Sequence, residues 1–136
     1  MAFKGFLLDL DNTLYDYQQA HQPAIKTVME HYAGKFHQPV EALLRVYEQS
    51  RQRINIELAG TASSHNRLLY FQLMCEQLGI NPLPHAWESY EMYWDIYVDN
   101  IVLFDGVEEF FERVQAQKVI ITDLTADVQY KKIHRL

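Results

Sequence analysis

Two aspartates stand where an apolar segment gives way to a turn, in the run Asp9-Leu10-Asp11-Asn12-Thr13-Leu14. An ionised Asp9 can attack a phosphorus or carbon centre and form a covalent aspartyl intermediate. Asp11 can act as a general acid and then as a base, and a nearby like charge that raises its pKa would favour this role. Two carboxylates and a main-chain carbonyl also form a set of hard oxygen donors that suits Mg²⁺. The alternative is an ordinary polar turn after a strand.

Two short apolar runs are the elements expected to position this chemistry. Phe6 to Leu10 is typical of a strand buried on both faces, as in a parallel sheet. The run Val119-Ile120-Ile121-Thr122 predicts a second strand, which ends in the polar turn that Asp123 begins. In open α/β sheets, ligands bind outside the carboxyl ends of the strands, where Asp9 and Asp11 would lie.

Helical periodicity fills most of the sequence between these runs. The pattern predicts four amphipathic helices with short connections, at about residues 17–36, 39–60, 64–78 and 87–101, which together form a small bundle. A fifth helix from Val107 would end near Gln117 and meet the second strand at Lys118 without a turn residue. Since such loops usually need about 2–6 residues, either this helix ends early or the connection is unusual. A last helix is expected to begin at Thr125.

Composition excludes several classes of protein and partner. The 136 residues carry a net charge of −6, which does not attract polyanions, so nucleic acid is an unexpected partner. No apolar run has the roughly 18 residues of a membrane span, so no membrane association is expected. The single cysteine, Cys75, excludes an intrachain disulfide, and a cytoplasmic location is the expectation. Cys75 itself falls on an apolar helix face and is expected in the core.

The order of these features resembles the haloacid dehalogenase-like superfamily, in its phosphatase branch. The first motif of that superfamily is an apolar strand followed by Asp-x-Asp-x-Thr-Leu, which residues 6–14 match, and its second is an apolar strand ending in Thr or Ser, which residues 119–122 match. A helical cap follows the first motif, where the four predicted helices lie. The resemblance implies an α/β fold, with a Rossmann-like parallel-sheet core and an inserted α-helical bundle cap. Residues 1–15 and 103–136 would form a partial core, and residues 16–102 the four-helix cap domain.

The resemblance also implies roles for individual residues. Asp9 would be the phosphoryl-accepting nucleophile and Asp11 the acid/base, in a Mg²⁺-dependent phosphomonoester hydrolase. The Asp9 carboxylate and the Asp11 main-chain carbonyl would bind Mg²⁺. Thr122, with the main-chain N–H of Asp123, would bind the substrate phosphate. The other two phosphate-site candidates, Asn12 and Thr13, would lie in the short turn that moves the cap. The substrate would be a small phosphorylated metabolite, such as a nucleotide or a sugar phosphate, and the resemblance leaves the oligomeric state open.

The sequence departs from the superfamily after the second motif. A later lysine that steadies the nucleophile, and one or two further acids that complete the metal site, are expected but have no match. Lys131 and Lys132 follow the second motif too closely to take the role of that lysine. Because a doubly wound sheet typically needs about five or six strands, we expect the core to be incomplete and the whole protein to have roughly 200 or more residues.

Other interpretations stay open at this level. A phosphosugar mutase would share the same chemistry, and a catalytically inactive or truncated binding protein would explain the absent motifs. A signalling receiver domain also uses acids near a strand end, but it has no helical bundle after them. The six histidines lack the spacing of a zinc site. Three arginines, Arg51, Arg53 and Arg67, either bind a substrate anion or lie on solvated helix faces. Tyr15, Asp16 and Tyr17 are candidates for the substrate side of the site or for a surface loop.

Overall fold

The computed structural model describes residues 4–136. Two short strands and six α-helices follow one another along the chain. Their bounds are β1 (Gly5–Leu8), α1 (Tyr17–Phe36), α2 (Val40–Glu57), a 3₁₀ turn (Ala62–His65), α3 (Arg67–Gln77), α4 (Pro82–Asp99), α5 (Val107–Arg113), β2 (Gln117–Ile120) and α6 (Ala126–Arg135). Within the described residues, no helix is both long and apolar enough to cross a membrane.

The two strands pair in parallel, as their apolar composition predicts. Gly5 lies opposite Gln117 and Leu8 opposite Ile120, and the Ile121 N–H extends the ladder by donating to the Leu8 carbonyl at 2.8 Å. Both strands end two residues earlier than the sequence indicates; β1 begins one residue earlier and β2 two residues earlier. Asp9 is therefore the first residue after β1 rather than part of it, at the carboxyl edge of the sheet.

The four predicted bundle helices are present, and α3 and α4 are the pair that packs most extensively. Asp16 caps α1 by accepting the Gln18 N–H at 2.7 Å, which satisfies a donor that the first helical turn leaves free. Helix α3 begins at Arg67 rather than near residue 64, because the preceding residues form the 3₁₀ turn and Asn66 takes the N-cap position. Aromatic side chains and Cys75 fill the space between these helices.

Helix α5 ends at Arg113, about four residues before the predicted end near Gln117. Of the two alternatives for the connection to the second strand, the structure shows the early helix end. Residues 114–116 then join it to β2. The last helix begins where the sequence predicts, with Thr125 at its N-cap position. Helix α6 packs against α4, and this contact connects the sheet-bearing part of the chain to the helical bundle.

The two ends of the helical bundle lie side by side. Tyr15 and Leu103 form an antiparallel bridge, and the Phe104 N–H donates to the Leu14 carbonyl at 2.9 Å. Because these residues flank the bundle on both sides in the sequence, the chain leaves the sheet for the bundle and returns from it at the same place. The turn after β1 is thereby fixed from both sides.

Candidate active site

The turn after β1 is tight and helical. The Leu14 N–H donates to the Leu10 carbonyl at 3.0 Å, and Asn12 adopts a left-handed conformation with φ of 59°. Asparagine tolerates this conformation better than most residues. The Asn12 side chain accepts the Tyr17 N–H at 3.0 Å and ties the turn to the first turn of α1. The Thr13 hydroxyl donates to the Asp9 carboxylate at 3.2 Å. The side chains of Asn12 and Thr13 thus form hydrogen bonds to groups in and next to the turn.

Asp9 faces an open groove at the carboxyl ends of both strands. The groove has a volume of about 290 Å³ and is lined by Leu7, Leu8, Asp9, Ile121, Thr122 and Asp123. The structure therefore brings the expected nucleophile together with both residues of the expected phosphate-binding segment. Asp9 is exposed, which leaves its carboxylate accessible from the groove.

Asp11 points in another direction and is held by four hydrogen bonds. Its carboxylate accepts from the Tyr15 hydroxyl, from Gln129 Nε2 at 3.2 Å and from Lys132 Nζ at 2.7 and 3.0 Å. Burial opposes ionisation, but the charge of the Lys132 ammonium and the hydrogen bonds from Lys132, Tyr15 and Gln129 outweigh it, so the pKa of Asp11 is lowered. The like charge that would favour the acid/base role does not determine the pKa of Asp11, because its carboxylate is paired with a cation.

Lys132 is the main residue that sequence reasoning missed. It lies on α6, and its side chain is 1% exposed. Its ammonium is 5.6 Å from the ring centroid of Trp94 and 5.7 Å from that of Tyr97, both on α4. Burial lowers the pKa of Lys132, and Asp11 offsets part of this effect. The sequence interpretation, that Lys132 follows the second motif too closely to be the later lysine of the superfamily, stays a prediction; it did not anticipate that Lys132 lies beside Asp11.

Gln129 connects the ends of the two strands. Its side-chain amide donates to the Asp123 carbonyl at 2.6 Å, to Thr122 Oγ1 and to Asp11 at 3.2 Å. Gln129 is buried one helical turn from Lys132, on the face of α6 that meets the rest of the protein. A glutamine and a lysine three residues apart on the apolar face of a short helix are the signal that sequence analysis could have used.

The three residues after the acid pair have separate roles in the structure. Tyr15 is fully buried, and its hydroxyl lies 2.8 Å from that of Tyr97. Burial, followed by Tyr97 and Asp11, raises the pKa of Tyr15, so the phenol stays neutral and donates to Asp11. Asp16 serves as the cap of α1, whereas Tyr17 is half-buried and contacts Arg67.

The donor set fits a hard divalent cation in part. Asp9 supplies an accessible carboxylate, and Asp11 retains its main-chain carbonyl, while its side chain is bonded to Lys132. Within residues 4–136, no group of three His, Cys, Asp or Glu side chains is placed to hold a metal ion. The described residues thus offer one accessible carboxylate and one main-chain carbonyl as candidate oxygen ligands for Mg²⁺, and the second carboxylate of the acid pair is bonded to Lys132.

The two parallel strands carry an acid pair and a threonine at their carboxyl ends, and they are joined to a helical bundle in the same chain. This arrangement is an incomplete Rossmann-like core with an attached helical bundle. Comparisons with known proteins agree. The chain is 33% identical over 135 residues to the ribulose-1,5-bisphosphate 5-phosphatase of Halopiger xanaduensis; the match includes 96% of this chain and 56% of that protein. The chain therefore spans little more than half the length of this curated relative. No family model matches the chain.

Two solved structures share the fold. The HAD-hydrolase YfnB from Bacillus subtilis superimposes with a TM-score of 0.66 at 17% identity, over 98% of this chain and 60% of YfnB. The L-2-haloacid dehalogenase from Xanthobacter autotrophicus gives a TM-score of 0.56 at 15% identity, over 98% of this chain and 52% of the dehalogenase. The predicted fold is confirmed: the described residues share the fold of these two haloacid dehalogenase-like proteins.

Proposed function

We propose that the complete protein is a phosphomonoesterase that acts through an aspartyl-phosphate intermediate. One observation carries the proposal: Asp9 lines the same groove as Thr122 and Asp123, at the carboxyl ends of two adjacent parallel strands. An exposed carboxylate beside a hydroxyl and main-chain donors suits the attack on a bound phosphoryl group. The phosphatase activity named for the relative from Halopiger xanaduensis supports this proposal.

In the first step, an Asp9 carboxylate oxygen attacks phosphorus as the bond from phosphorus to the leaving oxygen breaks. The leaving oxygen takes a proton, for which Asp11 is the proposed donor. Lys132 holds Asp11 ionised in the described arrangement, and the negative charge of a bound phosphate would raise the pKa of Asp11 toward the form that donates. Thr122 and the Asp123 N–H hold a phosphoryl oxygen during the transfer.

In the second step, water attacks phosphorus and the bond to Asp9 breaks, which releases phosphate and restores the carboxylate. Asp11 takes the proton from the water and acts as the base. Gln129 serves as a positioning residue, because it fixes Asp11 relative to Thr122 and the Asp123 carbonyl.

We propose Mg²⁺ as the cofactor, with the Asp9 carboxylate and the Asp11 carbonyl among its ligands. When bound, Mg²⁺ would neutralise phosphate charge and so ease the approach of the Asp9 carboxylate. The crystal structure of YfnB contains bound magnesium, which supports this assignment.

The division of the chain is part of the proposal. Residues 1–15 and 103–136 would belong to the catalytic core, and residues 16–102 would form the cap. The adjacent ends of the bundle, at Tyr15 and Leu103, support an inserted domain. A small phosphorylated metabolite is the proposed substrate, and the relative's ribulose bisphosphate favours a sugar phosphate. A cytoplasmic location is proposed from the single cysteine.

The test is phosphate release by the complete protein from a panel of phosphate esters, with Mg²⁺ and with a chelator. The panel includes ribulose 1,5-bisphosphate and a nucleoside monophosphate. Phosphate release is expected with Mg²⁺ and not with the chelator. Asp9→Asn should reduce phosphate release at least about 1,000-fold, because the nucleophile is removed. Asp99→Asn, an exposed acid at the end of α4, is the matched control and should retain activity. Release of no phosphate from any ester, or full activity in Asp9→Asn, would overturn the proposal.

A further inference from the structure

Arg67 carries a buried positive charge without a counter-ion. The residue is 7% exposed, and no carboxylate of residues 4–136 lies within ion-pair distance of its guanidinium. Arg51 and Arg53 instead pair with Glu48 and Glu57 on their own helix. Since removing a charge from water without pairing it costs several kcal/mol, buried charges are normally paired or bound to a ligand.

The groups around Arg67 are neutral and leave part of its donor capacity free. Nη1 donates to the His65 carbonyl at 2.9 Å, and Nη2 donates to the Tyr17 hydroxyl at 2.5 Å. The guanidinium carbon lies 5.2 Å from the ring centroid of Tyr70 and 5.6 Å from that of Tyr93. Nε is buried and has no hydrogen-bond partner among the described residues. Phenol rings and a carbonyl solvate the charge, but none of them neutralises it.

Arg67 also lies close to the segment that follows β2. It lines a crevice between the start of α3 and the segment that follows β2, together with Asn66, Trp94, Leu124 and Thr125. Leu124 and Thr125 directly follow Thr122 and Asp123 in the chain. Arg67 therefore lies beside the residues that directly follow the proposed phosphate-binding segment.

We propose that Arg67 binds a second anionic group of the substrate, a phosphate or a carboxylate, while the first phosphate occupies the groove at Asp9. The inference rests on the proposed function and specifies its substrate class: phosphate esters that carry another anion. The planar guanidinium, with Nε free, matches the two-point geometry with which arginine binds phosphate and carboxylate oxygens. The Tyr17 hydroxyl, already bonded to Arg67, would lie at the edge of this subsite.

The crevice at Arg67 has a volume of only about 10 Å³, about that of one water probe. An anionic group would therefore enter when the start of α3 moves away from the segment after β2. Beside the crevice, a hydrogen bond of 3.3 Å joins the Tyr90 hydroxyl on α4 to Asp127 on α6. Such a long bond is weak. The charge of Arg67 would then favour closure on a substrate that neutralises it.

The first test compares kcat/KM of the complete protein for a sugar bisphosphate, for a sugar monophosphate that also carries a carboxylate, and for the plain monophosphate. The wild type should prefer the two substrates with a second anion. Arg67→Met should reduce kcat/KM for these two by about 10- to 100-fold, the range for a hydrogen bond to a charged group, and change the plain monophosphate by less than about threefold. Arg51→Met, which removes an arginine already paired with Glu48, is the control and should preserve the preference.

Equal losses for all three substrates would show that Arg67 acts in folding alone and would overturn the inference, as would a wild type that ignores the second anion. A drop for only one of the two substrates that carry a second anionic group identifies which anion the subsite takes. If Arg67→Met fails to fold, Arg67→Lys keeps the charge but loses the planar fork, and it should lower the same preference partially.

A calorimetric titration separates this inference from the proposed function. Asp9→Asn should bind the bisphosphate more tightly than the monophosphate, and adding Arg67→Met should remove that difference. This binding result is expected even if no ester is hydrolysed. A lack of hydrolysis would therefore refute the phosphatase proposal without contradicting the anion subsite at Arg67. Equal binding of both ligands by Asp9→Asn would overturn the subsite.

Discussion

Replacement of Lys132 by methionine tests the arrangement that sequence reasoning missed. Methionine keeps most of the buried aliphatic stem and removes the ammonium that pairs with Asp11. Removing one partner of a fully buried ion pair typically costs about 3–5 kcal/mol, because the other charge stays buried. Lys132 is 1% exposed, but the Asp11 side chain is 26% exposed and keeps its bonds from Tyr15 and Gln129. We therefore expect a loss of about 2 to 3 kcal/mol in the free energy of unfolding at pH 7.

Urea unfolding followed by far-ultraviolet circular dichroism measures this loss. With an m value of about 2 kcal/mol/M, the midpoint of Lys132→Met should fall by about 1 to 1.5 M. Lys131→Met is the matched control, since Lys131 is exposed on the same helix, and its effect should stay within about 0.5 kcal/mol. The pKa of Asp11 is lowered from 3.8, so the pair stabilises the fold above that pH. The difference between wild type and Lys132→Met should shrink as the pH falls through the folded pKa of Asp11.

A double-mutant cycle with Asp11→Asn separates the pair from the packing of each side chain. Because Asp11→Asn leaves a buried ammonium unpaired, it should also destabilise the fold, and the double variant should be less destabilised than the sum of the two single variants. A coupling energy of about 1 to 3 kcal/mol is expected. Equal effects of Lys132→Met and Lys131→Met, or a coupling below about 0.5 kcal/mol, would refute the assignment of Lys132 to a structural pair with Asp11.

Three further predictions concern the bundle. Burial, followed by the neighbouring Arg charges, lowers the pKa of His21 from 6.5 to about 4. The free energy of unfolding should therefore be highest above pH 6.5 and fall by about 2 to 3 kcal/mol as the pH drops to 4, and acid titrations of His21→Gln should lack this fall. Gly34→Ala, on an exposed helical face with free space for a Cβ, should raise the free energy of unfolding by about 0.5 kcal/mol, whereas Gly79→Ala, at a φ of +69°, should lower it by about 1 kcal/mol; a reversed order in thermal melts would contradict the assigned backbone. Tyr70→Phe removes a buried hydroxyl that lies 2.6 Å from both a carbonyl of the 3₁₀ turn and an amide oxygen of α2, and chemical denaturation should show a loss of about 1 to 2 kcal/mol; the exposed Tyr130→Phe should show almost none.

The sequence was sufficient to predict the elements and their order, because hydrophobic periodicity reports which face of each element is buried. Four helices, two strands and the acid turn follow from local patterns of this kind. The ends of the elements were less well predicted. Arg113 ends α5 at a position that local propensity does not mark. The start of α3 at Arg67 is marked by the N-cap residue Asn66, but hydrophobic periodicity alone placed it earlier.

The contacts around Asp11 and Arg67 could not be predicted in the same way. Lys132 reaches Asp11 from a helix that follows more than a hundred residues later, and its position depends on how α6 docks on α4. Periodicity leaves Arg67 equally compatible with a solvated face and a buried one, and only the packing of α3 on its neighbours decides between them. Asp9 was easier, because a strand end fixes its place at the sheet edge without help from distant segments.

The adjacent ends of the bundle have a consequence for the order of folding. Leu8 and Ile120 pair across roughly 110 residues of chain, and closing so long a flexible loop delays the parallel strands. If the bundle folds first, the contact between Leu14 and Phe104 leaves only roughly 20 flexible residues to close, which lowers the entropic cost by about 1.5 kcal/mol. The folded bundle would then bring the two strands close enough to pair during synthesis, before Lys132 binds Asp11.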